Sequence, residues 1–261
     1  MIRVDGVDLA YSDEGSGAPL VCLHAIGHDR SDYDALRLSR KIALDWPGQG
    51  GSGPDHAPPT ARRYAELLEK FLDALGLDRV VLVGNSIGGA AAIRFAATHP
   101  QRVRALVIMN TGGLDRGGRL ARVAIRLMAA FFAAGARGRR WFGRAFAFYY
   151  RMVLRQSRAV ATRDRIIADG YRLAPLLHQA WLGFGDGDAD LRPMVPRVTA
   201  PVLFAWARHD RFIPFGRSRA AIARFSRARV QLFDAGHAPQ LETPDELNAA
   251  VRGFLDENQI R

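Results

Sequence analysis

The chain is poor in cysteine and lysine, and it has no long apolar run. Cys22 is its one cysteine. That excludes a disulfide framework and a cysteine-based zinc site within one chain. No apolar stretch reaches the roughly 18 residues that a bilayer-spanning helix needs. The longest candidate, near 129–136, is short and flanked by Arg. The opening residues, Met-Ile-Arg-Val-Asp-Gly-Val-Asp, lack the charged-then-apolar order of a signal peptide. A cytoplasmic protein is the expectation. Lysine occurs only at Lys41 and Lys70, so 35 of the 37 basic residues are Arg.

What is present suits a soluble globular protein with a sizeable core: 261 residues, 48% hydrophobic and 24% charged. The net charge of +11 admits nucleic acid, an anionic membrane or an acidic protein as partner. It is unevenly spread. Residues 114–195 hold 15 Arg, no Lys and 6 Asp, hence +9, while the other 179 residues carry +2. The same segment holds 11 of the 24 aromatic residues. A composition shift this sharp marks an insertion. No helix-turn-helix, zinc-finger or RNP-like pattern accompanies the charge, so nucleic acid is not an expected partner.

Around the insertion, apolar strands alternate with helices. Strands are expected at 9–14, 20–24, 42–45, 80–83, 105–109, 202–207 and 230–233, and helices at 60–77, 87–98 and 244–255. In 60–77, Tyr64, Leu67, Leu68, Phe71, Leu72 and Leu75 recur on one helical face, and Thr60 is placed to cap it. Such alternation predicts a mainly parallel sheet covered on both faces.

One motif carries chemistry. Gly84-Asn85-Ser86-Ile87-Gly88-Gly89 fits G-x-S-x-G, with an expected strand before it and a helix after it. A turn that sharp strains the serine, and the small flanking residues let the backbones pass. The helix then starts at the nucleophile, aiming its amides and dipole at a developing oxyanion. Without that context the motif would be a glycine-rich turn with an incidental serine.

A serine needs a base, and the base needs an orienting acid. Asp210 follows the expected strand 202–207, and His237 follows 230–233 with Gly236 freeing its loop. Alone, Asp210 reads equally as a cap or a partner of Arg208 or Arg211, and His237 as a loop histidine. Together they complete the order Ser, Asp, His. The oxyanion donors expected are the amides of Ile87 and, from the loop His24-Ala25-Ile26-Gly27-His28, of Ile26.

These residues resemble the α/β-hydrolase superfamily over nearly the whole chain. Asp45-Trp46-Pro47-Gly48-Gln49-Gly50-Gly51-Ser52 is similar to its D-x-x-G-x-G-x-S loop. His24-Ala25 stands where the family usually has His-Gly, and 28–41 is short for the family's first helix. The elbow and Trp206-Ala207-Arg208-His209-Asp210-Arg211-Phe212-Ile213-Pro214 look like the meta-cleavage-product hydrolases, which split carbon–carbon bonds. Those enzymes usually carry Trp after the catalytic His, where this chain has Ala238.

The resemblance implies a mainly parallel eight-stranded sheet built from residues 1–113 and 196–261, with 114–195 as a helical cap over the site. Its pocket would be walled by Trp141, Phe142 and Trp181 of the cap and by His24 and Ala238. In 118–135, Leu120, Val123, Ala124, Leu127, Met128 and Phe131 share one face, with Arg119, Arg122 and Arg126 on another. The expected arrangement turns the apolar face inward and leaves the Arg face in water. A docking surface for an acidic carrier protein or an anionic membrane is the alternative.

The implied activity is hydrolysis of a carboxylic ester of a largely apolar small molecule through an acyl-enzyme, without metal or cofactor. Alternatives are carbon–carbon hydrolysis of ring-fission products, a thioesterase docking through the basic cap, and a non-catalytic binding protein on the same fold.

Overall fold

The computed structural model describes residues 1–115 and 117–260. It begins with a hairpin of β1 (Ile2–Val4) and β2 (Val7–Leu9), in which Val4 pairs with Val7. The turn residues Asp5 and Gly6 both have positive φ, 49° and 80°. That is the two-residue Asp-Gly turn whose twist matches the strands it joins.

Seven further strands form one sheet: β3 (Tyr11–Gly15), β4 (Pro19–Leu23), β5 (Arg40–Leu44), β6 (Val80–Asn85), β7 (Val103–Met109), β8 (Val202–Ala207) and β9 (Ala228–Phe233). Their order is β3-β5-β4-β6-β7-β8-β9. β3 runs antiparallel to β5, and every other neighbouring pair is parallel. The mainly parallel sheet matches expectation, but its strands number seven, with the hairpin apart. The strand expected over 9–14 is broken at Ala10, whose amide donates to Ser52 Oγ and whose carbonyl accepts from the Asp45 amide.

Successive strand residues point to opposite faces. Leu82, Ile108 and Phe204 join the core beneath α1 (Ala61–Ala74) and α2 (Ile87–Thr98), while Val83, Val107 and Leu203 join that beneath α9 (Pro244–Glu257). Thr60 caps α1 by accepting the Arg63 amide at 3.1 Å. Between β4 and β5 the chain makes only a 3-10 turn, Arg30–Tyr33, where the family's first helix was expected to be short.

Four helices fill the connection from β7 to β8: α3 (Arg119–Ala136), α4 (Phe142–Val153), α5 (Val160–Ala168) and α6 (Gly170–Gly183). They share an aromatic core of Phe132, Phe142 and Phe146, all fully buried. Glycines make that packing close: a Cβ on Gly135 or Gly170 would lie 2.5 Å from the ring of Phe142 or Phe146. The inward apolar face expected for α3 holds only in its C-terminal half, where Ala129, Phe132 and Ala133 are buried. Leu120, Val123 and Leu127 stand in solvent. α7 (Phe215–Ile222) and the short α8 (Pro239–Glu242) complete the fold.

Candidate active site

Ser86 ends β6 and starts α2 with φ 53° and ψ −119°. That is a left-handed backbone which a non-glycine residue holds only when its surroundings enforce it. Here they do. The Ser86 amide donates to Met109 O at 2.9 Å, and Thr111 Oγ1 donates to Ser86 O at 3.1 Å, so the end of β7 straps the turn. Gly88 meets the neighbouring strand so closely that a Cβ there would lie 2.1 Å from Leu23 O. This contact presses the elbow against the loop that follows β4.

Asp210 lies just past β8 with both carboxylate oxygens occupied. Oδ1 accepts the amides of Phe212 and Ile213 at 2.8 and 2.9 Å. Oδ2 accepts Asn110 Nδ2 and meets His237 Nδ1, each at 2.7 Å. Burial raises its pKa, but the charge and hydrogen bond of His237 and the two amides outweigh that, and the carboxyl sits below its ordinary value. For His237, burial lowers the pKa, while the charge and hydrogen bond of Asp210 and the charge of Glu242 carry it above its ordinary value. The Asp210 contact places the proton on Nδ1 and leaves Nε2 with its lone pair. Among the described residues, no hydrogen bond joins His237 to Ser86, a looseness common before substrate binds.

The sequence reading missed the residues that hold this arrangement. Asn110, at φ 43°, accepts the Ala207 amide at 2.8 Å while donating to Asp210. Asn85 Nδ2 donates to His237 O at 3.1 Å and to Met109 O at 3.2 Å. Glu242, nearly fully buried, accepts the amides of Gly236 and His237, and those of Arg155 and Gln156 from the loop after α4. Asn85 lies inside the elbow motif and Glu242 five residues past His237, but Asn110 follows β7, far along the chain from all three motif residues, and nothing in the type of any of them announces the role. His28 and Asp32 form a further buried pair, Nδ1 to Oδ2 at 2.7 Å. Its spacing of four residues was the available signal.

The loop 45–52 is structural. Asp45 accepts the amides of Arg30 and Gly51 at 2.6 and 2.7 Å and pairs with the Arg30 guanidinium. A Cβ on Gly50 would fall 2.2 Å from its carboxylate. Ser52 Oγ donates to Asp45 O at 2.7 Å. Gln49 Oε1 accepts the Gly27 amide at 2.6 Å, which fixes the loop carrying Ile26. The Ile26 amide takes no part in the backbone hydrogen bonds of the described residues. Ile87, as the first residue of α2, has no acceptor within its helix.

The five expected pocket residues are dispersed. His24 is fully buried, with Nδ1 against Ala25 O at 2.7 Å and Nε2 accepting the Trp46 amide at 2.9 Å, so neither ring nitrogen is left for a ligand. Phe142 belongs to the core of the inserted helices, and Trp141 is 54% exposed on their outside. Trp181 is half-buried against Phe132 and Phe184, with ring centroids 6.3 and 5.5 Å away. Ala238 is fully enclosed beside His237. The aromatic residue that does reach the acid's loop is Tyr149, 5.0 Å from Phe212. Ser86 and His237 are 9% and 8% exposed. A cavity of about 350 Å³, lined in part by Leu114, Arg192, Arg217 and Arg224, touches none of the three motif residues. The arrangement of titratable groups, not cavity size, therefore marks the site.

The family described as "Alpha/beta hydrolase family" matches residues 20–250. A 2-hydroxy-6-oxononadienedioate/2-hydroxy-6-oxononatrienedioate hydrolase of Dechloromonas aromatica is 28% identical over 95% of this chain and 91% of its own length. Among solved structures, a bacterial membrane phospholipase A superposes with a TM-score of 0.85 at 24% identity, covering 100% of this chain and 86% of that one. A thermophilic esterase from Thermogutta terrifontis superposes with a TM-score of 0.80 at 23% identity, covering 98% and 96%. At these identities the two structures establish the shared fold.

Proposed function

This chain belongs to the alpha/beta hydrolase family, and from that premise we propose that it is a serine hydrolase cleaving the carboxylic ester of a largely apolar small molecule. The observation that carries the reading is the His237–Asp210 contact of 2.7 Å beside a serine at φ 53°. His237 Nε2 takes the proton of Ser86 Oγ as the oxygen attacks the ester carbonyl. The amides of Ile26 and Ile87 hold the oxyanion. His237 returns the proton to the leaving alcohol, which departs as the acyl-enzyme forms. Water then gives a proton to His237 and attacks the acyl carbon, and His237 returns that proton to Ser86 Oγ as the acid leaves. Asp210 stays ionised and keeps the imidazole in the Nδ1–H tautomer. The helices of 114–195 act as the cap, with Tyr149 beside the acid's loop.

Carbon–carbon hydrolysis is the second reading, favoured by the ring-fission hydrolases among the relatives. Ester cleavage is preferred because Ala238, fully enclosed, stands where the ring-fission hydrolases usually carry an indole after the catalytic histidine. A panel of p-nitrophenyl esters of rising acyl length, run beside a ring-fission dienol, separates the two. Fluorophosphonate labelling should modify the protein and fail on Ser86→Ala. Equal labelling of that variant refutes the serine mechanism, and turnover of the dienol alone refutes the ester reading.

A further inference from the structure

The N-terminal half of α3 presents its apolar stripe to solvent. Leu120 is 87%, Val123 52% and Leu127 65% exposed, although residues three and four apart line up on one helical face. Half-buried Phe131 continues the stripe and brings it to Trp141, ring centroids 5.9 Å apart. Arg119, Arg122 and Arg126 run along its flank, all exposed. None of the three forms an ion pair among the described residues. From 116 to 163 the chain has 12 Arg and not one Asp or Glu, so the face lacks an acid of its own segment to neutralise it.

We propose that this face docks the protein on an anionic membrane, with the apolar stripe at the level of the acyl boundary and the arginines among the lipid phosphates. An apolar stripe beside a basic flank is the pattern of a helix lying in the plane of the interface, and a half-exposed tryptophan suits the headgroup region. Charge complementarity selects the occupant. A second copy of the chain would set one arginine row against another in a desolvated contact, where like charges are costly. An acidic protein would satisfy the arginines but would need a groove for the protruding leucines, whereas a fluid bilayer takes them without one. Among the described residues no helix is long and apolar enough to cross a membrane, so the docking is peripheral. It is independent of the ester reading, since no substrate is turned over in it.

The test is co-sedimentation with phosphatidylglycerol–phosphatidylcholine vesicles against phosphatidylcholine alone. Binding should require phosphatidylglycerol and weaken steeply with salt. Joint replacement Arg119→Gln, Arg122→Gln and Arg126→Gln should weaken it about 100-fold. Leu120→Ser with Leu127→Ser should weaken it about tenfold or more with the arginines intact. Vesicles should shift tryptophan emission to the blue, and Trp141→Phe should remove most of that shift. Circular dichroism melts establish that each variant is folded. Three outcomes each overturn the proposal: no binding of the unaltered protein at low salt, binding indifferent to the two leucines, or a solution dimer that the leucine variant splits.

Discussion

The sheet core and the inserted helices treat charge in opposite ways. In the core, Asp45, Asp210 and Glu242 each accept several hydrogen bonds from backbone amides that no other group satisfies as well. These closed circuits restrict how the carboxylates can turn, and nucleophile and base depend on such positioning. In the helices, arginines from Arg119 to Arg151 stand in water without a carboxylate from their own stretch of chain. Their position is loose and their field extends outward. The difference assigns fixed chemistry to one region and encounter to the other. Glu242 joins the two by holding the amides of His237 and Gln156 at once.

The sharpest way to break the comparison is Asp210→Asn. The Asn oxygen would face the Phe212 and Ile213 amides, turning its amide group toward His237 Nδ1. That favours the wrong tautomer and leaves Nε2 unable to accept a proton. We expect kcat to fall about 10⁴-fold with the fold retained, read by ester turnover beside circular dichroism. A loss under tenfold would place the base elsewhere. The next largest effect is on stability. Glu242 accepts five backbone amides, three of them buried; Glu242→Gln turns one of its two acceptor oxygens into a donor facing them and should destabilise by about 3 kcal/mol in urea titration. Because it loosens both sides of the junction, turnover should fall with it.

Much of this core was legible in the sequence, for identifiable reasons. The bounds of α2 follow from Ser86 at one end and Pro100 beyond the other. β6 and β8 are continuous apolar runs because both their faces are covered. The hairpin at Asp5-Gly6 had a signal, an Asp-Gly pair between apolar residues, that passed unread. The supports of the triad had none: Asn110, Asn85 and Glu242 act through positions set by tertiary contact. The outward stripe of α3 was illegible for a different reason. Periodicity reveals that a helix has an apolar face but not whether any element covers it, and α6 meets α3 on another side, His178 reaching Ala129 O at 2.8 Å.

A glycine pair sharpens the contrast. Gly88→Ala forces backbone to move, since its Cβ would fall 2.1 Å from Leu23 O, whereas Gly118, at the start of α3, has nothing within 4 Å and an extended φ of −173°. Gly88→Ala should cost about 2–3 kcal/mol and Gly118→Ala less than about 0.5 kcal/mol. Equal losses would remove the claim that the elbow is tightly set where the start of α3 is open.

Titration reads the same circuit. His237 must be neutral to act as base, and its pKa lies above the ordinary 6.5. Ester kcat/KM should therefore rise with pH through an inflection above 6.5, and the residual activity of Asp210→Asn should inflect lower, where burial is opposed by the charge of Glu242 and no longer by that of Asp210. The stability signs follow. The His237 contribution is complete below 6.5 and fades as pH rises through its raised folded value. That of Asp210 is present above 3.8 and fades as pH falls through its lowered folded value. An inflection unmoved by Asp210→Asn would detach the acid from the base.

The smallest effect comes from the arginines themselves. Arg63, with its side chain 16% exposed, donates to Asp55 at 2.7 Å and also pairs with Asp5. Replacing it by Gln leaves two carboxylates without their partner and should cost about 1 kcal/mol. Joint replacement of Arg119, Arg122 and Arg126 by Gln breaks no ion pair among the described residues and relieves repulsion among like charges a turn apart, so the melting temperature should stay the same or rise slightly. The change should remain within about 0.5 kcal/mol. Calorimetric melts of the two variants decide it. A triple variant less stable than Arg63→Gln would mean that the α3 arginines hold the fold together, and the division between a core that pairs its buried charges and an α3 that displays its own would fail at its most charged point.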